Sequence, residues 1–282
     1  MSLPAFHFRF LLVTIWAFTL VGADSGMAQF GAKHVKAELI VAHEAVVPGQ
    51  EFVVGVKLTI DPNWHTYWIN PGGPGLPTSA KWDLPQGFAA GELQFPYPHQ
   101  FETAGLLGFG YENQVIHLVT IKVADDVKPG QSVTLKTKVR WLMCDPQTCM
   151  PDSADLSITV KVAAELGAET PQATEVAAAG KTIPKVPEGW QSGFQEKDGK
   201  IVITMAVGEV FTSFPDDLAI YPETKKVIKL GEKPAFELKD GLLTMTLSAD
   251  PAKADPLPTV FRAVLHSDQG IGEHSSVLIV AK

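Results

Sequence analysis

Two cysteines, Cys144 and Cys149, are the residues of this sequence whose type and spacing best suit chemistry. They are its only cysteines, and a disulfide between them would close a loop of six residues. Chain-entropy reasoning credits so short a loop with roughly 2 kcal/mol, against about 4.7 kcal/mol for a loop of about 100 residues. A short loop instead lets an incoming thiolate reach one sulfur while the second cysteine resolves the mixed disulfide. The spacing therefore favours redox exchange over a structural clip.

The neighbours of the two cysteines leave other interpretations open. Asp145 follows Cys144 and disfavours a thiolate there, and the loop contains no Lys or Arg that would stabilise one. The pair therefore need not be the attacking party. Met143 and Met150 flank the cysteines, and these four soft donors suit Cu(I), although the loop contains no His. A structural disulfide and a copper(I) site remain alternatives.

Segments with a period of two indicate the strands that must position these cysteines. Apolar residues alternate with polar or small ones in five segments of the first half, which is typical of strands with one face on a core. These segments are residues 35–41, 51–60, 115–123, 133–141 and 156–162. Pro-Gly pairs supply turns between some of them. The pattern predicts an all-β half, most simply an immunoglobulin-like β-sandwich, with both thiols on one hairpin-like loop.

Between Trp64 and Tyr111 the alternation gives way to a stretch rich in Pro, Gly and aromatic residues. Loops this long are uncommon unless they are functional. His65 in this stretch suits a proton carrier or a ligand, but a single His among aromatic residues is more often packed and hydrogen-bonded. Phe109 and Tyr111 lie in a glycine-flanked loop, where their rings either cover a reactive site or fill the end of the sandwich.

The second half of the chain predicts a further β domain. Strand-like segments separated by Asp, Gly and Pro occur at residues 201–207, 242–247, 260–265 and 277–280. Residues 166–187 are rich in Ala, Glu and Thr and lack alternation, which indicates a short helix or a linker. We therefore predict an immunoglobulin-like domain at residues 29–165, a linker at 166–187 and a second, smaller β-sandwich domain at 188–282.

The N-terminus predicts export. Arg9 precedes an apolar run at residues 10–21, and Gly26 and Ala28 offer small residues for cleavage. The run is shorter than the roughly 20 apolar residues of a membrane span. We therefore expect residues 1–28 to be a cleaved signal peptide, and the mature protein to be periplasmic without stable membrane insertion.

Composition and motifs argue against other function classes. The 31 acidic and 23 basic residues give a net charge of −8, and no basic run could neutralise successive phosphates, so nucleic acid is not expected as a partner. The sequence contains no G-x-S-x-G, H-E-x-x-H, P-loop or helix-opening G-x-G-x-x-G motif. Cysteine chemistry is the remaining strong candidate, and it requires neither a cofactor nor a metal.

Several motifs, taken in order, resemble the N-terminal periplasmic domain of DsbD-type thiol:disulfide interchange proteins, including that of the copper-tolerance relative ScsB. These motifs are Trp64-His65-Thr66-Tyr67-Trp68, Asn70-Pro71-Gly72, Gly110-Tyr111-Glu112, Trp141-Leu142-Met143-Cys144 and Cys149-Met150-Pro151. The resemblance covers roughly residues 35–162 and is far more specific than two nearby cysteines. The trailing β domain also resembles the extra domain of ScsB-like members.

The resemblance implies a function for the cysteine pair. Cys144 and Cys149 would take electrons from a membrane-embedded, DsbD-like donor and pass them to periplasmic thioredoxin-fold proteins. Family members usually continue into a membrane domain and a thioredoxin domain, whereas this sequence ends at Lys282, so we expect another protein to supply the reductant.

The resemblance also implies which residues surround the cysteines. An aromatic cap loop shields them in the family, and Phe109 or Tyr111 matches it in order and approximate spacing. His65, Tyr67 and Trp141 would be neighbours of the active site.

The sequence thus predicts a periplasmic thiol:disulfide oxidoreductase of the protein-disulfide reductase type. The alternative is a non-catalytic periplasmic binding or scaffold module with a structural disulfide, with or without bound copper(I).

Overall fold

The computed structural model describes residues 33–103, 105–208 and 215–282, which fold mainly as β-strands. The all-β prediction is therefore confirmed. The predicted signal peptide at residues 1–28 lies outside the described residues. Within the described part of the chain, no helix has the length and apolar character needed to cross a bilayer.

The first half of the described chain forms a two-layer sandwich. Its strands are β1 Val35–Val41, β2 Ala45–Val46, β3 Glu51–Ile60, β4 His65–Tyr67, β5 Ser79–Asp83, β6 Phe88–Ala90, β7 His99–Thr103, β8 Leu106–Glu112, β9 Gln114–Val123, β10 Ser132–Cys144 and β11 Cys149–Val162. One sheet has the order β1-β3-β9-β6, and the second has the order β2-β11-β10-β4-β8-β7 with β5 paired to β10. Val54 and Ile121 of the first sheet share a core with Leu135 and Val160 of the second. This arrangement confirms the predicted sandwich.

The stretch between Trp64 and Tyr111 differs from the long loop that the sequence suggested. Strands β4 to β8 lie in or across it and have only three to seven residues each. Such short strands, separated by Gly and Pro, give too few repeats for a period of two to be recognised. The prediction that Phe109 and Tyr111 lie in a loop is wrong, because both lie in β8.

The segment predicted as a helix or linker contains helix α1, Ala173–Thr182. Its four alanines favour a helix. Val176 packs in one apolar cluster with Ile116 of β9. Lys57 Nζ donates to Glu175 Oε2 at 2.6 Å. The helix is therefore attached to the first sandwich by both apolar and charged contacts.

The C-terminal half forms a second, smaller sandwich. Its strands are β12 Gln191–Lys197, β13 Lys200–Ala206, β14 Ala219–Pro222, β15 Ala235–Lys239, β16 Leu242–Ser248, β17 Phe261–Ile271 and β18 His274–Ala281. The order is β14-β17-β18-β12-β13-β16-β15, and β12 joins β18 through the pair Ser192 and Ala281. Ile203 and Met245 on one side of this junction share a core with Leu265 on the other. We propose to keep the domain limits drawn from the sequence, because β1–β11 and β12–β18 form separate sheets.

His117 in the first core predicts a loss of stability in acid. Its side chain is fully buried, with ring centroids 4.7 Å from Phe95 and 5.4 Å from Tyr111. Burial lowers the pKa of His117 from 6.5 to about 3. Below pH 6.5 the unfolded chain therefore binds a proton that the folded chain does not, and stability falls as the pH approaches 3. At about pH 5 this loss is about 2 kcal/mol relative to about pH 8.

Urea unfolding of the wild type and of His117→Leu at several pH values tests this expectation. Carboxylates contribute equally to the acid sensitivity of both proteins. The difference between the two pH profiles therefore reports the contribution of His117 alone. We expect His117→Leu to lose less stability than the wild type between pH 8 and pH 5, because leucine has no group that binds a proton in this range. Parallel pH profiles for the two proteins would contradict the assignment.

Candidate redox site

The cysteine pair closes the hairpin of β10 and β11. Cys144 is the last residue of β10 and Cys149 is the first of β11, and the two are paired directly across the ladder. Their sulfurs form a disulfide, with Cα atoms 4.1 Å apart. The sequence placed both thiols on a loop, whereas the structure places them on strand ends. The β-ladder therefore fixes the position of the disulfide.

The turn between the cysteines is held by Asp145. Its backbone N–H donates to the Thr148 carbonyl at 2.9 Å. Its Oδ1 accepts hydrogen bonds from the N–H groups of Gln147 at 2.8 Å and of Thr148 at 2.6 Å. The carboxylate expected to disfavour a thiolate is thus directed at two backbone dipoles, which offset part of its charge.

The two cysteines differ in exposure to solvent. Cys144 is 0 % exposed, whereas Cys149 is an exposed residue. A thiolate arriving from solvent attacks a disulfide along the S–S axis and needs access to one sulfur. The structure therefore offers Cys149 to an incoming thiolate and protects Cys144.

Strand β4 places Tyr67 and His65 beside the buried sulfur. His65 is paired with Cys144 across the β4–β10 ladder, and Tyr67 follows on the same face of β4. Tyr67 Oη donates to Cys144 Sγ at 3.1 Å, and His65 Nε2 lies 3.2 Å from Tyr67 Oη. Because the Tyr67 hydroxyl has one proton and donates it to sulfur, His65 Nε2 is the donor in the second contact. The three groups form a hydrogen-bond chain that ends on Cys144.

Burial keeps the His65 and Tyr67 side chains uncharged at neutral pH. Desolvation lowers the pKa of His65 below its usual 6.5, and the nearby Asp145 carboxylate opposes the shift. Desolvation raises the pKa of Tyr67 above its usual 10. A neutral tyrosine retains the hydroxyl proton that it donates to Cys144 Sγ.

A groove of about 220 Å³ runs beside the disulfide. The β10–β11 turn and Cys149 line one side, and Phe101, Leu106 and Leu107 of the β7–β8 hairpin line the other. The Phe101 ring lies 4.1 Å from that of His65 between centroids. A Cβ at Gly108 would lie 2.3 Å from the Phe101 ring, so this ring fits over β8 only because residue 108 is glycine. The β7–β8 hairpin therefore supplies the aromatic neighbour of the disulfide.

The structure places the other predicted site residues in the core. Phe109 packs edge-on against Trp68 and Tyr221, with centroids 6.4 and 5.3 Å away. Tyr111 is buried and donates to the Pro96 carbonyl at 2.8 Å. Neither residue lines the groove beside the disulfide.

Trp141 is buried in the same hydrophobic cluster as Met143. Side chains alternate along β10, so both lie on the face opposite Cys144. Met150, paired with Met143, lies on that opposite face as well. The thioethers and the cysteine sulfurs therefore do not point to one centre. Among the described residues, no group of three or more His, Cys, Asp and Glu is arranged to hold a metal ion.

Phe101 is the site residue that the sequence argument missed. Two features could have identified it. The aromatic Phe101 is paired across a hairpin with a glycine, Gly108, and a second glycine, Gly105, has positive φ in the turn. An aromatic ring often covers a cross-strand glycine. This signal becomes visible only once β7 and β8 are recognised as paired strands.

Comparison with known proteins identifies a matching family and a similar solved structure. The family described as "Thiol:disulfide interchange protein DsbD, N-terminal" matches residues 36–161. The N-terminal periplasmic domain of ScsB from Proteus mirabilis is similar in structure, with a TM-score of 0.60 and 15% sequence identity. That match covers 89% of this chain and 94% of the ScsB domain, so it extends over both sandwiches.

Other similarities are weaker. The YadV chaperone matches with a TM-score of 0.23 and 7% identity, over 86% of this chain and 99% of the chaperone. A protein of unknown function from Porphyromonas gingivalis W83 matches with a TM-score of 0.26 and 9% identity, over 88% and 99% of the two chains. No functionally curated protein matches the sequence. The segment 36–161, which carries the cysteine pair on the β10–β11 hairpin of an immunoglobulin-like sandwich, thus matches the family of DsbD-type N-terminal domains of thiol:disulfide interchange proteins.

Proposed function

We propose that this protein is a thiol:disulfide interchange protein that exchanges electrons through Cys144 and Cys149. One observation carries the proposal: the exposed residue Cys149 is bonded to the buried Cys144, whose sulfur already accepts a hydrogen bond from Tyr67. An exposed cysteine can be attacked by a partner thiolate. A buried sulfur that accepts a hydrogen bond can leave as a thiolate. The family match supports the same chemistry.

The exchange follows from this geometry in two steps. A partner thiolate attacks Cys149 Sγ, a new S–S bond forms, and the Cys144–Cys149 bond breaks. The electron pair of the broken bond leaves on Cys144 Sγ, where the Tyr67 hydroxyl stabilises the charge. A second partner thiolate then attacks the partner sulfur of the mixed disulfide and releases Cys149. Two partner thiols become one disulfide, and Cys144 and Cys149 become thiols; the reverse sequence reduces a client.

The position of the disulfide supports exchange more than stabilisation. It joins residues that are already paired in the β10–β11 ladder. It therefore adds little order to the hairpin, and its six-residue loop gains only roughly 2 kcal/mol in chain-entropy terms. A disulfide used as a staple would more usefully join distant strands.

The groove supports a revised assignment of the aromatic cap. We propose that Phe101, rather than Phe109 or Tyr111, shields the cysteines, because its ring lines the groove and contacts His65. In this proposal Phe109 and Tyr111 stabilise strand β8 beneath the cap. His65 and Tyr67 act on Cys144, and Trp141 anchors β10 from the opposite face.

The compartment and partners follow from the same proposal. The ScsB domain is described as periplasmic, and the apolar N-terminus suits a signal peptide, so we place the protein in the periplasm. Its donor would be a membrane-embedded, DsbD-like protein, and its clients would be thioredoxin-fold proteins. A groove of about 220 Å³ with apolar walls suits the peptide segment that flanks a partner cysteine.

The reduction potential of the disulfide tests the proposal. Purified protein is equilibrated in glutathione or dithiothreitol buffers, and free thiols are counted by alkylation. We expect a potential between about −120 and −270 mV, the range of proteins that exchange thiols. A value below about −300 mV would contradict exchange and favour the scaffold module with a structural disulfide.

A further inference from the structure

The C-terminal sandwich contacts the first sandwich directly behind the redox site. Tyr221 of β14 lies edge-on to Trp68, with centroids 6.4 Å apart, and edge-on to Phe109 at 5.3 Å. Trp68 is 0 % exposed and follows Tyr67 in the chain. The backbone N–H of Trp68 donates to the Phe109 carbonyl at 3.0 Å. The Tyr221 ring thus completes an aromatic cluster on the residue next to Tyr67.

A hydrogen bond joins the two sandwiches at the same place. Asn70 is buried, and its Nδ2 donates to the Pro222 carbonyl at 2.7 Å. Its Oδ1 accepts from the Gly72 N–H at 3.2 Å, which shapes the turn that follows. The Phe109 N–H donates to the Pro71 carbonyl at 2.8 Å. The C-terminal sandwich therefore fixes the start of the segment formed by residues 70–75.

This segment returns onto the Tyr67 ring. A Cβ at Gly75 would lie 2.6 Å from Tyr67 Cδ1 and 2.9 Å from Pro71 Cβ. The Gly75 backbone therefore lies against the ring and leaves no space for a side chain. Pro74 of the same segment lines the groove beside Cys149. Tyr67 is held between its own strand and a segment that is fastened to the C-terminal sandwich.

We infer that Tyr221 and Asn70 are positioning residues for thiol exchange, which hold the Tyr67 hydroxyl on Cys144 Sγ. The C-terminal sandwich is then part of the redox machinery, although it contributes no atom to the disulfide. The inference rests on the proposed exchange function. It predicts that disturbing the contact between the sandwiches slows exchange at a disulfide that the C-terminal sandwich does not touch.

A double-mutant cycle on the full chain tests this inference. The readout is the rate constant for reduction of the disulfide by dithiothreitol. Tyr221→Ala removes the ring, and Asn70→Asp removes the donor to Pro222 while keeping the acceptor for Gly72. We expect each to slow reduction about two- to tenfold in the wild type and to have no further effect in the Tyr67→Phe background. Tyr221→Phe, which keeps the ring, should restore the wild-type rate.

Controls separate positioning from a general loss of structure. Phe194→Ala removes an aromatic ring that packs on Phe261 in the same sandwich, outside the contact, and should leave the rate unchanged. If Tyr221→Ala does not fold, Tyr221→Leu takes its place in the cycle. Equal rates for variant and wild type, or an equal slowing in the Tyr67→Phe background, overturn the inference and leave the proposed function standing. A wild-type disulfide that dithiothreitol cannot reduce overturns both.

Discussion

Cys144→Ser protein is expected to form a mixed disulfide with oxidised glutathione about a hundredfold faster than Cys149→Ser protein. The thiol that remains in Cys144→Ser is the exposed Cys149. The thiol that remains in Cys149→Ser is Cys144, which is 0 % exposed. A buried thiol reacts after local opening of the structure, and an opening cost of about 3 kcal/mol slows reaction about a hundredfold. The mass increase of one glutathione measures both rates.

The same asymmetry should govern the capture of protein partners. Cys144→Ser lacks the resolving cysteine, so a mixed disulfide between Cys149 and a thioredoxin-fold protein should persist and be isolated from periplasmic extract. In denaturant the two variants should react with glutathione at rates within about twofold, because burial no longer distinguishes them. Faster reaction of Cys149→Ser in the native state would show that the proposed order of attack is wrong. Capture by neither variant would remove the exchange hypothesis.

The sequence predicted the long strands well because their pattern is local. Residues 35–41 and 51–60 were predicted as strands and are β1 and β3 with the same bounds. Each contains enough alternating residues for one buried face to be recognised. Strands β4 and β6 have three residues each and owe their conformation to partners distant in the chain. Such pairing is set by tertiary contacts, which a local pattern does not contain.

The site shows the same division between local and tertiary information. The cysteine spacing indicated exchange, and the resemblance indicated His65 and Tyr67. The burial of Cys144 and the exposure of Cys149 depend on which strands flank β10, so the sequence left the attacked sulfur open. The cap was assigned to Phe109 or Tyr111 because the family's aromatic cap loop matches them in order and approximate spacing, and the neighbouring glycines were interpreted as part of a loop. Those glycines instead allow the neighbouring strands to pack closely against β8, with Gly110 against the Thr66 carbonyl of β4.

The surroundings of Cys144 raise the question of how a buried sulfur can leave as a thiolate. A buried charge without a partner is unfavourable, because it loses its hydration. Asp145, the nearest acidic residue in the sequence, is engaged with two N–H groups of its turn. The Tyr67 hydroxyl is the donor placed on Cys144 Sγ, and His65 Nε2 supports it from behind. This hydrogen-bond chain from His65 through Tyr67 therefore stabilises the Cys144 thiolate as it leaves.

Tyr67→Phe is accordingly expected to slow reduction of the disulfide by dithiothreitol about tenfold or more. The substitution keeps the ring, which the Gly75 backbone contacts, and removes the hydroxyl that stabilises charge on Cys144. A hydrogen bond to a charged group contributes about 1.5–3 kcal/mol, and about 1.4 kcal/mol corresponds to tenfold in rate. Rapid mixing with dithiothreitol, followed by acid quenching and thiol counting, measures the rate constant.

The pH dependence of this effect separates hydrogen bonding from proton transfer. Burial raises the pKa of Tyr67 above 10, so the hydroxyl keeps its proton between about pH 6 and 9. The rate of each protein should rise with pH as dithiothreitol ionises, but the ratio of wild type to Tyr67→Phe should stay constant. A ratio that collapses within this range would mean that Tyr67 ionises there and acts as an acid rather than as a fixed donor. An unchanged rate in Tyr67→Phe would mean that the buried thiolate is stabilised by another group, and that Cys144 does not depend on β4.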